Sequence, residues 1–306
     1  MATGEAREVT TVVARAPVRI CDAGGWTDTW FARTGLVCNL AVGPGVEVRV
    51  RHEPRSGSAT VVLDVAAFGE RYAFAPGEGP GRHPLLEAAI ARLRPALRGA
   101  ETEITITAAP PPGCGTGTSA SVVVALLGAL STAAGQHTAA HEVAATAHGV
   151  EADDLGLQSG VQDQHAAAHG GACTITVEEY PTASVERLPL TPETVAALGR
   201  RVVTVYLGRP HRSSAIHEHV IESLRRDPRS AEQRLAPLRD AAAAAARALV
   251  RGDLDDWAHA LAANTEMQAG LHPDLVCDDA RRLIEVVRRH GAAGWKVNGA
   301  GVTAAR

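Results

Sequence analysis

The sequence predicts an α+β protein of two domains, and three observations carry that expectation. Its 306 residues suffice for a full core and for two domains. The first part of the chain mixes strand-like alternation with helical patterns, whereas from Ser214 onward the periodicity is largely helical. Between these parts, residues 179–202 hold Pro181, Pro189 and Pro192, which interrupt both patterns. The boundary is therefore placed between an N-terminal domain over residues 1–190 and a C-terminal domain over 191–306. A site is expected in the crevice between the halves.

The elements are read in order as follows. Residues 1–8 are polar and expected to fray. Strands are expected over 9–20, 37–40 and 46–51, the last because Val46, Val48 and Val50 alternate with Glu47, Arg49 and Arg51. Gly24-Gly25-Trp26-Thr27-Asp28 forms a loop after the first strand, and residues 60–64 and 71–74 continue the sheet. A helix over 85–97 precedes a strand over 103–107, and a glycine-rich loop then empties into the apolar run 122–130. Residues 137–151 form a second helix, and 174–177 and 202–207 are strands. The run Ala241 to Ala246 is a strong helix former, and the chain has no internal repeat.

Composition excludes several classes. Apolar residues at 45% and charged residues at 21% are ordinary for a soluble globular protein. A net charge of −4 and a pI near 6.4 argue against a nucleic-acid or membrane-surface partner. The five cysteines form no C-x-x-C. With no secretory signal and no apolar run of ~18 residues, they read as reduced thiols of a cytoplasmic protein. Thirteen histidines show no H-E-x-x-H or comparable metal-ligand spacing.

The most informative stretch is Pro110-Pro111-Pro112-Gly113-Cys114-Gly115-Thr116-Gly117-Thr118-Ser119-Ala120-Ser121. A glycine-rich turn that opens a helix exposes unpaired N–H groups at the positive end of the helix dipole, which is an anion site. Thr118 and Ser119 supply hydroxyls where a nucleotide-bound metal could sit. The stretch lacks G-x-x-x-x-G-K-[ST], so it is not a Walker P-loop. It is not a G-x-G-x-x-G dinucleotide turn either, since three prolines separate it from the preceding strand. On these residues alone, a phosphate cradle and a plain strand-to-helix turn both remain open.

Two further segments share its character: Arg15 to Thr29, containing Arg19 and Gly-Gly-Trp-Thr-Asp, and Gly160 to Gly171, containing Gln162-Asp163-Gln164. A third, Gly294-Trp295-Lys296-Val297-Asn298-Gly299-Ala300-Gly301, lies near the C-terminus. With these in order, the chain resembles the GHMP kinases, named for galactokinase, homoserine kinase, mevalonate kinase and phosphomevalonate kinase. The glycine loop is similar to that family's P-x-x-x-G-L-G-S-S-A, with Thr116 for Leu and Thr118 for the first Ser. The resemblance runs from about Arg15 to Gly301. Its Gly-Gly-Trp-Thr-Asp and Gln-Asp-Gln variants are most similar to the branch that phosphorylates the anomeric hydroxyl of a sugar.

The resemblance implies an N-terminal α/β domain like ribosomal protein S5 domain 2 and a helix-rich, ferredoxin-like C-terminal domain. It implies an ATP- and Mg²⁺-dependent sugar kinase. Asp163 matches the catalytic aspartate, which would accept the sugar hydroxyl proton or orient that hydroxyl for in-line attack on the γ-phosphate; a turn or cap is its alternative. Arg19 matches an arginine beside the reacting hydroxyl, able to keep Asp163 ionised and to offset phosphoryl charge; the alternative is a snorkelling strand residue.

Asp28 matches an aspartate that holds sugar hydroxyls, although it also suits a helix cap. Thr27, Gly25, Gly299 and Gly301 are placed with it on the substrate side. Pro112, Gly113, Cys114, Gly115, Thr116, Gly117, Thr118 and Ser119 would cradle the nucleotide. Ser119 and Glu151 would hold Mg²⁺. Asp153 and Asp154 are alternatives to Glu151, and all three also suit a solvated acidic helix end. Arg209, His211 and Arg212 would contact a phosphate on the sugar, or form a basic loop with Ser213 or Ser214 as N-cap.

One departure stands out. The family's third motif ordinarily continues into another strand, whereas here five residues follow Gly301. Either this is a natural short form or the terminal strand is missing or altered. A lost strand would leave an open edge, with low activity or completion by another subunit as the expectation, and a homodimer is left open. The favoured acceptor is D-glycero-D-manno-heptose 7-phosphate or a related higher-carbon sugar phosphate, on the strength of Arg209, His211 and Arg212; L-fucose is the alternative. A non-catalytic nucleotide- or sugar-binding protein on the same fold also stays open. A kinase outside the sugar branch is opposed by Asp28, which suits a hydroxyl-rich ligand.

Overall fold

The structure, a computed structural model, describes residues 9–54, 60–77, 81–95, 97, 99–111, 113–208, 213–299 and 303–305. Strand β1 (Thr10–Ala23) pairs antiparallel with β2 (Gly35–Pro54), a 20-residue strand around which the sheet is organised. β3 (Thr60–Val65) and β4 (Glu70–Phe74) follow, then helix α1 (Pro84–Arg92), strand β5 (Ala100–Ala108) and helix α2 (Thr118–Ala133). Helices α3 (Ala140–Gly149) and α4 (Gln162–His169) flank a π-type turn, Val150–Asp154. β6 (Ala172–Glu179), β7 (Thr182–Arg187), α5 (Pro192–Arg201) and β8 (Thr204–Tyr206) come next. The rest is α6 (Ser213–Arg226), α7 (Pro228–Arg251), α8 (Leu254–Leu271), α9 (Asp278–Arg289) and β9 (Thr303–Ala305).

The main sheet runs β4-β3-β5-β2-β6-β7, with β1 on the other edge of β2. The first half of β2 pairs with β6 and the second half with β5, both antiparallel, while β3 and β5 run parallel. The alternation read from the sequence sets which face is buried: Val46, Val48 and Val50 are buried against Val123, Leu126 and Leu130 of α2. On the opposite face Glu47, Arg49 and Arg15 form ion pairs in water. A second core joins Ile20, Cys38 and Leu40 of β1 and β2 to Ala242, Ala245 and Leu249 of α7 and Trp257 of α8. The alanine run lets α7 approach closely, since a Cβ added at Gly24 would stand 2.8 Å from the Ala242 methyl. This core draws on both sides of the expected boundary at residue 190.

Several element expectations are corrected. The strands expected over 37–40 and 46–51 are one strand, because β1 pairs along both halves and carries the ladder past Gly43-Pro44-Gly45. The first strand extends beyond 20 to Ala23, with a register shift after Ile20. The helix expected over 85–97 ends at Arg92, although Leu97 remains buried. The helix expected over 137–151 starts at Ala140 and gives way to the π-type turn. The strand expected over 202–207 shortens to Thr204–Tyr206. At the C-terminal end β9 pairs antiparallel with β8.

Candidate active site

A cavity of about 960 Å³ lies where α2, α4, the end of β1 and the segment around Gly299 converge. Its centre is the glycine loop. Gly113, Gly115 and Gly117 all have left-handed φ, at 72°, 74° and 69°, where an L side chain would be strained. Gly117 is the N-cap of α2, and neither a side-chain cap nor an acidic residue occupies that first turn. The N–H groups at this helix end therefore face the cavity without a protein partner from a cap, as an anion site requires. Gly113, Cys114, Gly115, Gly117, Thr118 and Ser119 line the cavity. The Thr116 hydroxyl packs inside the loop against Cys114 Sγ at 2.9 Å and Thr118 Oγ1 at 3.1 Å, and its carbonyl accepts from the Arg19 N–H at 3.0 Å. Pro112 lies outside the described residues.

Arg19 and Asp163 meet beside this loop. Arg19 Nε donates to Asp163 Oδ1 at 2.7 Å and Nη2 to Oδ2 at 3.3 Å, a two-pronged pair, while Nη1 donates to the Gly115 carbonyl. Burial opposes the Arg19 charge, yet Asp163, Asp22 and Asp28 outweigh it and hold the guanidinium protonated well above its ordinary range. Asp163 occupies the first turn of α4, where the helix dipole favours a carboxylate. A Cβ on Gly117 would lie 3.0 Å from Asp163 Cγ, so the carboxylate sits directly against the helix end that faces the cavity. Cation, carboxylate and anion site are thus brought into contact from three separate segments.

Asp28 lines the same cavity and is buried. Its Oδ2 accepts from the Gln162 N–H at 3.0 Å, so it caps α4 rather than the segment that follows it in sequence. A Cβ on Gly160 would lie 2.1 Å from Oδ2, which makes the bare glycine a condition of this contact. Burial pushes the Asp28 carboxyl up to about 6, against the Gln162 bond that lowers it. Gly25 lines the cavity between Asp22 and Gln162. The Thr27 hydroxyl donates to the Gly24 carbonyl at 2.7 Å and to that of Leu36 at 3.2 Å, so it braces the loop and does not line the cavity. Gly299, with φ of 58°, lines the cavity, and a Cβ there would lie 3.2 Å from the Gly115 carbonyl oxygen. Arg209, His211, Arg212 and Gly301 lie outside the described residues.

Of the three neighbouring acidic residues, Glu151 alone lines the cavity. Asp154 and Asp153 are instead held by Arg92, at 2.6 and 3.4 Å. Glu151 Oε2 accepts from Ser159 Oγ at 2.6 Å and Gln164 Nε2 at 3.1 Å, and burial raises its pKa. A cation would reverse that penalty, and Ser119 offers a hydroxyl on the same cavity; this donor set of hard oxygens fits Mg²⁺. Among the described residues no three His, Cys, Asp or Glu groups cluster as a metal cage, so the remaining ligands would have to come from bound phosphate and water.

The composition of the other end was missed at the sequence level. Phe68, Leu85, Leu86, Ile106 and Val122 form an apolar lobe with His83, which stacks on Phe68 at 5.3 Å. Glu87 fixes this lobe by accepting from Tyr72 Oη at 2.5 Å, from the N–H groups of Arg82 and His83 at 3.0 and 3.2 Å, and from that of Gly81. A signal was present: of only three Phe and three Tyr in the chain, Phe68, Tyr72 and Phe74 fall within seven residues. Also missed were Asp22, beside Arg19 on the cavity floor, and Lys296 behind it.

Known proteins resemble this chain in sequence and in fold. Residues 84–171 match the sequence profile of the GHMP kinases N terminal domain. The D-glycero-alpha-D-manno-heptose 7-phosphate kinase of Campylobacter jejuni is 27% identical over 191 residues, 62% of this chain and 56% of that protein, so the match spans little more than half of the relative. A D-glycero-D-manno-heptose 1-phosphate kinase from Bacteriodes thetaiotaomicron superposes with a TM-score of 0.73 at 22% identity, covering 96% of this chain and 87% of the other. Lactococcus lactis galactokinase complexed with galactose superposes with a TM-score of 0.73 at 17% identity, covering 99% and 86%. The chain therefore has the α+β fold of the GHMP kinases, and its residues 84–171 match the N-terminal domain of that family.

Proposed function

We propose that this chain is an ATP- and Mg²⁺-dependent sugar kinase that phosphorylates an anomeric (C1) hydroxyl. The favoured acceptor is D-glycero-D-manno-heptose 7-phosphate or a related higher-carbon sugar phosphate. The observation that carries the reading is the Arg19–Asp163 pair, set against the uncapped N-terminus of α2. The C. jejuni relative supports the choice of acceptor. The two-domain division at residue 190 and a cytoplasmic location belong to the same reading.

Each residue then has a task. The α2 N-terminus and the glycine loop bind the triphosphate, and the apolar lobe around Phe68 and His83 receives the nucleotide base. Asp28 accepts hydrogen bonds from acceptor hydroxyls, fixing the sugar on the far side of the loop. Asp163 orients the reacting hydroxyl and accepts its proton as that oxygen attacks the γ-phosphorus; the bond from phosphorus to the β-phosphate oxygen breaks and ADP leaves. Arg19 holds Asp163 in place and stabilises charge on the phosphoryl oxygens. Ser119 and Glu151 would hold Mg²⁺, which would supply neutralisation of phosphate charge.

The test is ADP release with unphosphorylated sugars and with sugar phosphates, followed by ³¹P NMR to locate the new phosphate. A new anomeric phosphate on heptose 7-phosphate is expected. Turnover of L-fucose with none of heptose 7-phosphate would overturn the choice of acceptor. Nucleotide binding with no transfer across the panel would favour the non-catalytic reading.

A further inference from the structure

Behind Arg19 lies a pair of buried charges that the reaction scheme does not use. Lys296 is 1% exposed; its Nζ donates to Gln268 Oε1 at 2.9 Å and to the Val297 carbonyl, and stands 3.7 Å from Asp22 Oδ1. Asp22 is 2% exposed, and its Oδ1 has no hydrogen-bond partner. The same oxygen is also 3.7 Å from Arg19 Nη1. One unbonded carboxylate oxygen therefore stands between two cations, in ion-pair range of both. Lys296, Asp22, Arg19 and Asp163 form a line of alternating charge.

We propose that Asp22 and Lys296 act as a positioning pair that holds the Arg19 guanidinium on Asp163; this inference rests on the kinase reading above. Removing either partner leaves a buried charge uncompensated next to Arg19. Without Lys296, the whole attraction of Asp22 falls on Arg19 and draws it from Asp163. Without Asp22, Lys296 repels Arg19 with nothing between them. The pair also ties the C-terminal segment to the site. Gln268, which binds Lys296, donates to the Gly299 carbonyl at 2.8 Å, and Gly299 packs against Gly115 of the phosphate loop. Burial lowers the Lys296 pKa and Arg19 lowers it further, while Asp22 and Cys21, on β1 with Arg19, oppose that shift.

The experiment compares Asp22→Asn, Lys296→Met and the double variant, using ATP and heptose 7-phosphate with thermal unfolding as the fold check. Each single variant is expected to lose about 10²-fold in kcat, as for a reacting group displaced by roughly 1 Å, with the KM for ATP within about threefold. The double variant, which removes both charges, is expected to lose less than the product of the two losses. A second readout needs no acceptor: the Nε–H resonance of Arg19, assigned by its disappearance in Arg19→Lys, should shift in both single variants. Should the variants not fold, the wild-type protein decides, because that resonance should titrate together with the Lys296 ammonium. Single variants with kcat within twofold of wild type, or an Arg19 resonance unmoved in the variants and through the Lys296 titration, would overturn the proposal. A wild-type protein that phosphorylates no sugar counts against the kinase reading alone, since the Arg19 resonance still tests the pair.

Discussion

Replacing Gly117 by alanine separates the strain of the glycine loop from the placement of the Asp163 carboxylate. Gly117 has φ of 69° and ψ of 27°, a left-handed conformation that costs a residue with a Cβ about 1–2 kcal/mol. The new methyl would also lie 3.0 Å from Asp163 Cγ, 3.1 Å from Oδ2 and 3.3 Å from Cβ. Asp163 cannot swing aside freely, because both its oxygens are bound by Arg19. Relief of the contact must move the pair, or stretch charge-assisted hydrogen bonds worth about 1.5–3 kcal/mol each. The expected outcome is a stability loss of ~1–2 kcal/mol in urea unfolding and a kcat lower by about 10²-fold at saturating ATP. Gly117→Asn is the control: asparagine tolerates the left-handed region but brings the same Cβ, so it should regain stability and not kcat. A Gly117→Ala enzyme with the predicted stability loss but kcat within twofold of wild type would refute the placement of Asp163 at the reacting centre.

Three further outcomes are expected. Asp163→Asn should keep nucleotide affinity, measured by calorimetry, while phosphoryl transfer falls about 10²–10⁴-fold; unchanged turnover would remove Asp163 from the mechanism. Burial holds the Asp28 carboxyl up to about 6, against an ordinary 3.8, so its share of stability is full below about pH 4 and is lost as pH rises through about 6. Asp28→Asn cannot ionise and should gain on wild type across that window by at most ~3 kcal/mol, at 1.36 kcal/mol per pH unit; a difference in urea unfolding that is equal at about pH 4.5 and 7.5 would contradict this. Glu87→Gln should weaken nucleotide binding about tenfold, or ~1.4 kcal/mol, by loosening residues 81–83, and an unchanged Kd for ATP would show that the Glu87 bonds do not shape the base lobe.

What could be read from the sequence was what local spacing controls. Glycines at 113, 115 and 117 dictate a left-handed turn, and the apolar run after them dictates a buried helix, so the uncapped N-terminus of α2 follows from adjacent residues. Alternation in 46–51 likewise determines which face of β2 is buried, because side chains of a strand alternate whatever its partners. The same local signals failed at Gly43-Pro44-Gly45, where a break in pattern reads as a break in strand. Pairing to β1 on one side, and to β5 and β6 on the other, carries β2 past that point. Thr27 and Asp28 are adjacent in one motif, yet only the fold turns Thr27 onto backbone carbonyls and Asp28 onto the end of α4.

Asp22 and Lys296 mark the limit most clearly. Each lies within a segment that the sequence singled out, but neither has a reason to be noticed there. A charge survives burial only when an opposite charge stands within a few ångströms, and that neighbour comes from the far end of the chain. Sequence decided the turns and the helix dipole, since these depend on neighbouring residues. Tertiary structure alone decided which charges face each other, because that depends on distances between segments that sequence order does not encode.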